Sequence, residues 1–366
     1  MKVKPIVERP LEPLVEAVAP ATLPGLRFPW PRVLIGMAVV VVLALVAASL
    51  GSVSIPLGDA VRIGLDRLPG IEFTGDWPQS WETILWQLRF PRVILAVMVG
   101  ASLGLAGATY QGVFRNPLAD PYLIGVAAGA GLGATVVLVS PIPTYVGGFS
   151  LVPIAAFIGG LLAITVAYGV SHIDGSTPVT VLILAGVAMA SLASAITTFL
   201  MIVVSPDVRP ILWWLLGTFN GSTWKDVWIL VPYFVLAAVV ILPHARILNV
   251  LQLDRWQATQ LGVNVERTNL VLLVAASLAT AAAVSVSGLI LFVGLIAPHI
   301  VRLIWGPNHR ALLPMAMVVG GGFLVLADLG ARMVLQPQEI PIGVITALCG
   351  APFFIYLLRR ARRWRV

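Results

Sequence analysis

The apolar residues of this chain fall into long unbroken runs. They show neither the alternation of a half-buried strand nor the one-sided stripe of a soluble helix. The runs are Val33–Leu50, Phe90–Tyr110, Tyr122–Val139, Leu151–Val170, Val179–Val203, Trp228–Leu242, Leu270–Val286, Leu289–Ile304, Ala311–Met333 and Ile342–Leu358. Runs of this length suit a hydrocarbon layer about 30 Å thick. No water is present there to satisfy backbone N–H and C=O groups, so each run is predicted to be a helix. The expectation is an all-α polytopic membrane protein with about ten transmembrane helices. An even number returns both termini to one side.

Composition agrees. Of 366 residues, 59% are hydrophobic and 11% charged, against roughly 25% charged in a soluble domain. Mean hydropathy is +0.97. Such a chain cannot cover a water-facing surface, so membrane lipid is its main solvent. The formal charge of +7 does not imply nucleic acid, because the basic residues sit at the ends of apolar runs. With both termini cytoplasmic, 16 of the 23 Lys and Arg fall inside, including Lys2, Lys4, Arg9, Arg27, Arg363 and Arg365. Arg62, Arg67, Arg89, Arg92, Arg209, Lys225 and Arg332 fall outside. That bias sets the orientation in a cell (inner or cytoplasmic) membrane. Residues 1–32 read as a Pro-rich cytoplasmic arm and 33–366 as the transmembrane domain. The arm is too long, and the first run too full-length, for a cleaved signal peptide.

The chemistry is sparse. Of the carboxylates, Asp328 alone sits well inside a run, and Arg332 follows one helical turn later. A structural ion pair is expected there, in the favourable acid-first order. His172, His244, His299 and His309 are scattered, and neither a zinc-protease motif nor a P-loop occurs. No catalytic, cofactor or metal site is expected, so the chain is not read as an enzyme. Cys349 reads as a small core residue. Gly100, Gly104 and Gly107, then Gly125, Gly129 and Gly133, recur at spacings that let helix backbones approach closely. Trp77, Trp81, Trp86, Trp213, Trp214, Trp224 and Trp228 lie near outer ends and read as an interfacial belt.

A conduit without its own energy source needs a docking surface. The longest internal cytoplasmic stretch is 244–268, with helix-forming pieces flanking Leu261-Gly262-Val263. Gly262 permits a sharp turn there. Asp254 suits the start of a short helix.

Several ordered blocks carry a resemblance. They are LRFPRVILAVMVGASLGLAGATYQGVFRNPLADPYLIGVAAG from Leu88, LILAGVA from Leu182, WWLLGTFNG from Trp213 and LGVNVER from Leu261. GLIAPHIVRL from Gly294, LADLGAR from Leu326 and the closing stretch from Ile340 complete the set. Together they resemble the FecCD-type permeases, membrane subunits of ATP-driven importers for iron-siderophores, haem and cobalamin. The resemblance implies a type II ABC importer architecture. It implies a homodimer, two ATP-binding subunits on the cytoplasmic side and an extracytoplasmic substrate-binding protein, with ATP and Mg held by the partner ATPases. It implies ATPase-coupling contacts at Leu251, Asp254, Gln257, Leu261, Gly262 and Val263. It also implies binding-protein docking by Arg89, Arg92 and Arg332. The implied cytoplasmic gate is Asn116 and Leu118 with Val179 and Thr180, Val179 standing where the family often has a small hydroxyl residue. The substrate expected is a metal chelate, ferric siderophore first and haem or cobalamin next. Two other readings remain open: an ion-coupled secondary transporter, and a membrane assembly subunit without transport.

Overall fold

Every apolar run contains a helix in the computed structural model, which describes residues 29–67, 75, 77–147, 149–172, 177–205 and 207–362. All of the arm up to residue 28 lies outside the described residues, as do Arg363 and Arg365. In chain order the elements are α1 (Trp30–Ser49), α2 (Leu57–Asp66), α3 (Gln79–Thr83), α4 (Phe90–Val113), α5 (Val126–Val139) and α6 (Leu151–Ser171). Next come α7 (Val179–Val203), α8 (Arg209–Leu215), α9 (Trp224–Ile241), α10 (Ala245–Val250) and α11 (Arg255–Gln260). α12 (Val265–Ser287), α13 (Val293–Trp305), α14 (His309–Met333) and α15 (Ile342–Arg362) complete the bundle. Among the described residues, a single antiparallel pair of two-residue strands, Tyr145–Val146 with Phe149–Ser150, lies between α5 and α6.

By length and composition, 7 of these helices can cross a membrane, and α5, α13 and the apolar part of α15 are shorter apolar helices. At 13 residues, α13 is about 20 Å long, shorter than the hydrocarbon layer. Several helices start earlier than their apolar runs because a polar first turn is capped. Thr223 and Asp226 form a capping box that starts α9 at Trp224. The Asn264 side chain accepts from the Arg267 N–H and starts α12 at Val265. Each satisfies N–H groups that have no intrahelical partner.

Three helices form the centre. The apolar windows of α4, α12 and α14 are 83%, 72% and 67% buried, against 17–28% for α1, α6, α7 and α9. Glycines set the α4–α14 distance: a Cβ at Gly100 would lie 2.2 Å from the Gly320 carbonyl oxygen, and one at Gly104 2.2 Å from that of Ala316. The same device draws α5 to α6, where Gly129 and Gly133 face the backbone of Gly159 and Ala155. α1 runs parallel to α14, with Gly36 against Val318 and Gly322 against Val40. Its start therefore lies at the end of the bundle that carries α10 and α11. α15 leaves from the opposite end, so the first and last described helices meet the same face of the bundle.

Two expectations change here. Cys349 is exposed on α15, not a core residue; hydropathy cannot distinguish a core position from one facing lipid or a partner. The tryptophans do not form a simple belt either. Trp213 and Trp228 are exposed, but Trp86 donates to the Ile63 carbonyl at 3.1 Å, Trp224 to that of Trp86 at 2.7 Å and Trp77 to Glu82 at 2.7 Å.

Candidate functional site

The polar ends of the bundle hold the candidate residues. At one end, α10 and α11 lie between α9 and α12. Asp254 and Gln257 form a capping box, so Asp254 starts α11, the short helix before Gly262, as expected. Gly262 sits at φ +80°, with nothing within 4 Å of where a Cβ would stand. It is the left-handed residue that ends α11, a conformation in which any other L-residue is strained. The helix-forming piece beyond it is the start of α12 itself. Arg255 and Glu266 close the loop with a 2.6 Å ion pair. Of the six residues assigned to coupling, Asp254, Gln257, Leu261 and Gly262 are exposed and Val263 is half-buried. Leu251, at 2% exposure, is part of the core. The sequence reading missed Trp256, which is 72% exposed beside exposed Leu253 and Leu261. Its signal was available, since an aromatic at a polar loop is a frequent binding anchor.

The turn between α4 and α5 lies at the same end. Arg115 takes a left-handed φ of 50°. The Asn116 side-chain oxygen accepts from the Leu118 N–H at 3.0 Å, fixing an Asx turn. Leu118 is half exposed. Val179 and Thr180 open α7 directly after Pro178, with Val179 half-buried and Thr180 exposed. No hydrogen bond among the described residues joins this pair to Asn116 or Leu118. The contact between the two regions is made further along, where Gly186 of α7 meets the backbone of Leu123 and Ile124. Above it, α5 and α7 enclose a cleft of about 300 Å³ that includes Ser194, Thr197, Thr198 and Tyr122. Uniform hydropathy along α7 concealed this hydroxyl-bearing face.

Asp120 caps the short 3-10 turn Pro121–Ile124 by accepting from the Tyr122 N–H at 2.8 Å. Burial pushes its carboxyl from 3.8 up to about 6, against the opposing pull of that N–H. A raised acid favours the folded state while protonated, so its contribution is present below 3.8 and lost as pH rises through about 6. Asp120→Asn keeps a capping oxygen without the charge. It is expected to raise the thermal midpoint in detergent near neutral pH and leave it unchanged near pH 4. Equal midpoints at both pH values would contradict this.

The opposite end holds the three arginines. The expected Asp328–Arg332 pair forms, at 3.0 Å. Asp328, 1% exposed, also receives Arg92 at 2.9 Å, and Arg92 grips Glu339 through both guanidinium nitrogens at 2.9 and 3.0 Å. Arg89 donates to the carbonyls of Ala48 at 2.7 Å, of Ser49 at 3.0 Å and of Val53. Arg332 donates to those of Ala47 at 3.0 Å and Leu50 at 3.2 Å. Two arginines thus satisfy the carbonyls that the last turn of α1 leaves unpaired. Arg89 and Arg332 are 7% and 8% exposed. In the single subunit the donors of Arg89 and Arg332 are spent inside the bundle.

This bundle, with a capped loop at one face and a charged cluster at the other, defines a multi-pass membrane permease. The chain belongs to the FecCD transport family, whose model matches residues 37–360. It is 42% identical to the cobalamin import system permease protein BtuC of Halobacterium salinarum, over 85% of this chain and 87% of that protein. It is 35% identical to the hemin transport system permease protein HmuU of Yersinia pestis, over 92% and 98% of the two chains. A solved structure described as an inward-facing metal-chelate type ABC transporter superposes with a TM-score of 0.77 at 31% identity, covering 90% of this chain and 99% of that one. The architecture is that of an ABC importer permease.

Proposed function

We propose that this chain is the membrane-spanning subunit of a binding-protein-dependent importer of a bulky metal chelate. Two copies form a homodimer, and ATP is hydrolysed by separate subunits docked on the α10–α11 loop. That loop faces the cytoplasm, as do both termini, in the inner or cytoplasmic membrane. A substrate-binding protein docks at the charged end. The observation that carries this reading is the loop: two short helices with capped or buried anchors, presenting Trp256 and Leu261 to water on a chain with no nucleotide motif of its own. The 42% identical relative is named for cobalamin import, which moves cobalamin ahead of ferric siderophore and haem among the candidate cargoes. The ion-coupled alternative loses its best residue, because Asp328 is consumed by two arginines.

The test is reconstitution of the permease with its co-purifying ATPase in liposomes, loaded with binding protein and labelled cobalamin, haem or ferric hydroxamate. Uptake is expected only with ATP. Gly262→Val is expected to leave complex assembly in place and reduce uptake per ATP hydrolysed about tenfold or more, because a β-branched residue cannot hold that φ. Uptake by the permease alone down an ion gradient would overturn the proposal.

A further inference from the structure

The α10–α11 loop is tied to the α4 terminus by a second set of contacts that the family reading does not use. We propose that Gln252 and Asn249 form a strut that carries displacement of this loop to the turn at Asn116–Leu118. They are positioning residues, and the inference rests on reading the loop as the surface on which an ATPase acts.

The geometry is specific. Gln252 Nε2 donates to the Gly112 carbonyl at 2.9 Å and to that of Leu248 at 3.0 Å. Gly112 stands one residue before the end of α4, where carbonyls lack intrahelical partners. Its carbonyl also accepts the Arg115 N–H at 3.4 Å, and the preceding Gln111 carbonyl accepts the Asn116 N–H at 3.2 Å. The gate turn therefore shares one carbonyl, that of Gly112, with Gln252.

Asn249 lies three residues earlier, in the last turn of α10. Its Oδ1 accepts from the His309 backbone N–H at 2.9 Å and from His309 Nδ1 at 2.8 Å, while its Nδ2 donates to Asn308 Oδ1 at 2.9 Å. The His309 ring packs on Gly112 so closely that a Cβ there would lie 2.8 Å from Nε2. Leu248 and Leu251, 0% and 2% exposed, anchor the same stretch in the core. α10, the end of α4 and the start of α14 are thus one clamped unit. The exposed residues of α11 project from its other side. A push on Trp256 or Leu261 reaches Gly112 through the short turn 251–254, whose Leu251 is held in the core, and through the Gln252 side chain.

The test uses the whole transporter, permease with its ATPase, in lipid nanodiscs. A nitroxide is placed at Leu118→Cys in a Cys349→Ser background. Its spectrum is compared without nucleotide and with ATP and vanadate. The parent is expected to show a nucleotide-driven change. Gln252→Met, which keeps length and removes the donor, is expected to reduce that change about fivefold while ATP hydrolysis continues. Gln252→Lys restores a donor and is expected to retain the change. If the Met variant does not assemble, Gln252→Glu, equal in size and without a donor, is read in its place. A change in the donor-free variant equal to the parent's overturns the strut. No change in the parent overturns the ATPase-driven reading itself, and the strut with it.

Discussion

Asp328→Ala is expected to destabilise the subunit by about 3–5 kcal/mol, the range for removing one partner from a buried charge pair. Its carboxylate is 1% exposed and answers two guanidinium groups, Arg92 at 2.9 Å and Arg332 at 3.0 Å. Without it both cations stay in a poorly solvated place, and Arg332 loses the contact that orients it toward the end of α1. Asp328→Asn keeps the shape and one acceptor and is expected to lie between wild type and alanine. Glu339→Ala provides the contrast: that carboxylate is 30% exposed, so water replaces much of what is lost and the effect is smaller. Thermal midpoints in one detergent, followed by tryptophan fluorescence, rank the three. Asp328→Ala at or above Glu339→Ala would show that the cluster is not a buried network.

The other large effect is steric. Gly104→Leu is expected to prevent the subunit from accumulating in the membrane, and Gly104→Ala to lower its thermal midpoint sharply. A Cβ at 104 would stand 2.2 Å from the Ala316 carbonyl oxygen, and one at 100 the same distance from that of Gly320. Both neighbours are backbone, so no rotamer change relieves the clash and the helices must separate along their length. Overpacking of this kind costs about 1–3 kcal/mol per site and more where nothing can yield. Gly169→Ala on α6 is the control, since nothing lies within 4 Å of its added methyl. It is expected to be neutral or stabilising by about 0.4–1 kcal/mol. Membrane expression and thermal midpoints of the three variants decide the matter, and equal loss in all three would remove the steric argument.

Local information was legible in the chain, and long-range pairing was not. The start of α7 at Val179 was readable because Pro178 cannot continue a helix backwards. The Asp328–Arg332 pair was readable because four residues make one turn. Gly100 and Gly104 announced a close helix contact without naming α14 as the partner. The partners of Arg92 were not legible because they lie 236 and 247 residues away, a separation on which periodicity is silent. Arg89 and Arg332 were given a surface role because a cation at a helix end has the same pattern whether it meets water or caps a neighbour. Cys349 was inverted for a related reason. In a chain whose solvent is itself apolar, hydrophobicity does not report burial.

The seam between α4 and α14 bears on how such a molecule can move. Their backbones touch at Gly100 and Gly104, and α1 is pinned to both by Arg89 and Arg332. The apolar windows of α4 and α14 are 83% and 67% buried, against 17% for α7, so α7 is the spanning helix that the subunit itself grips least.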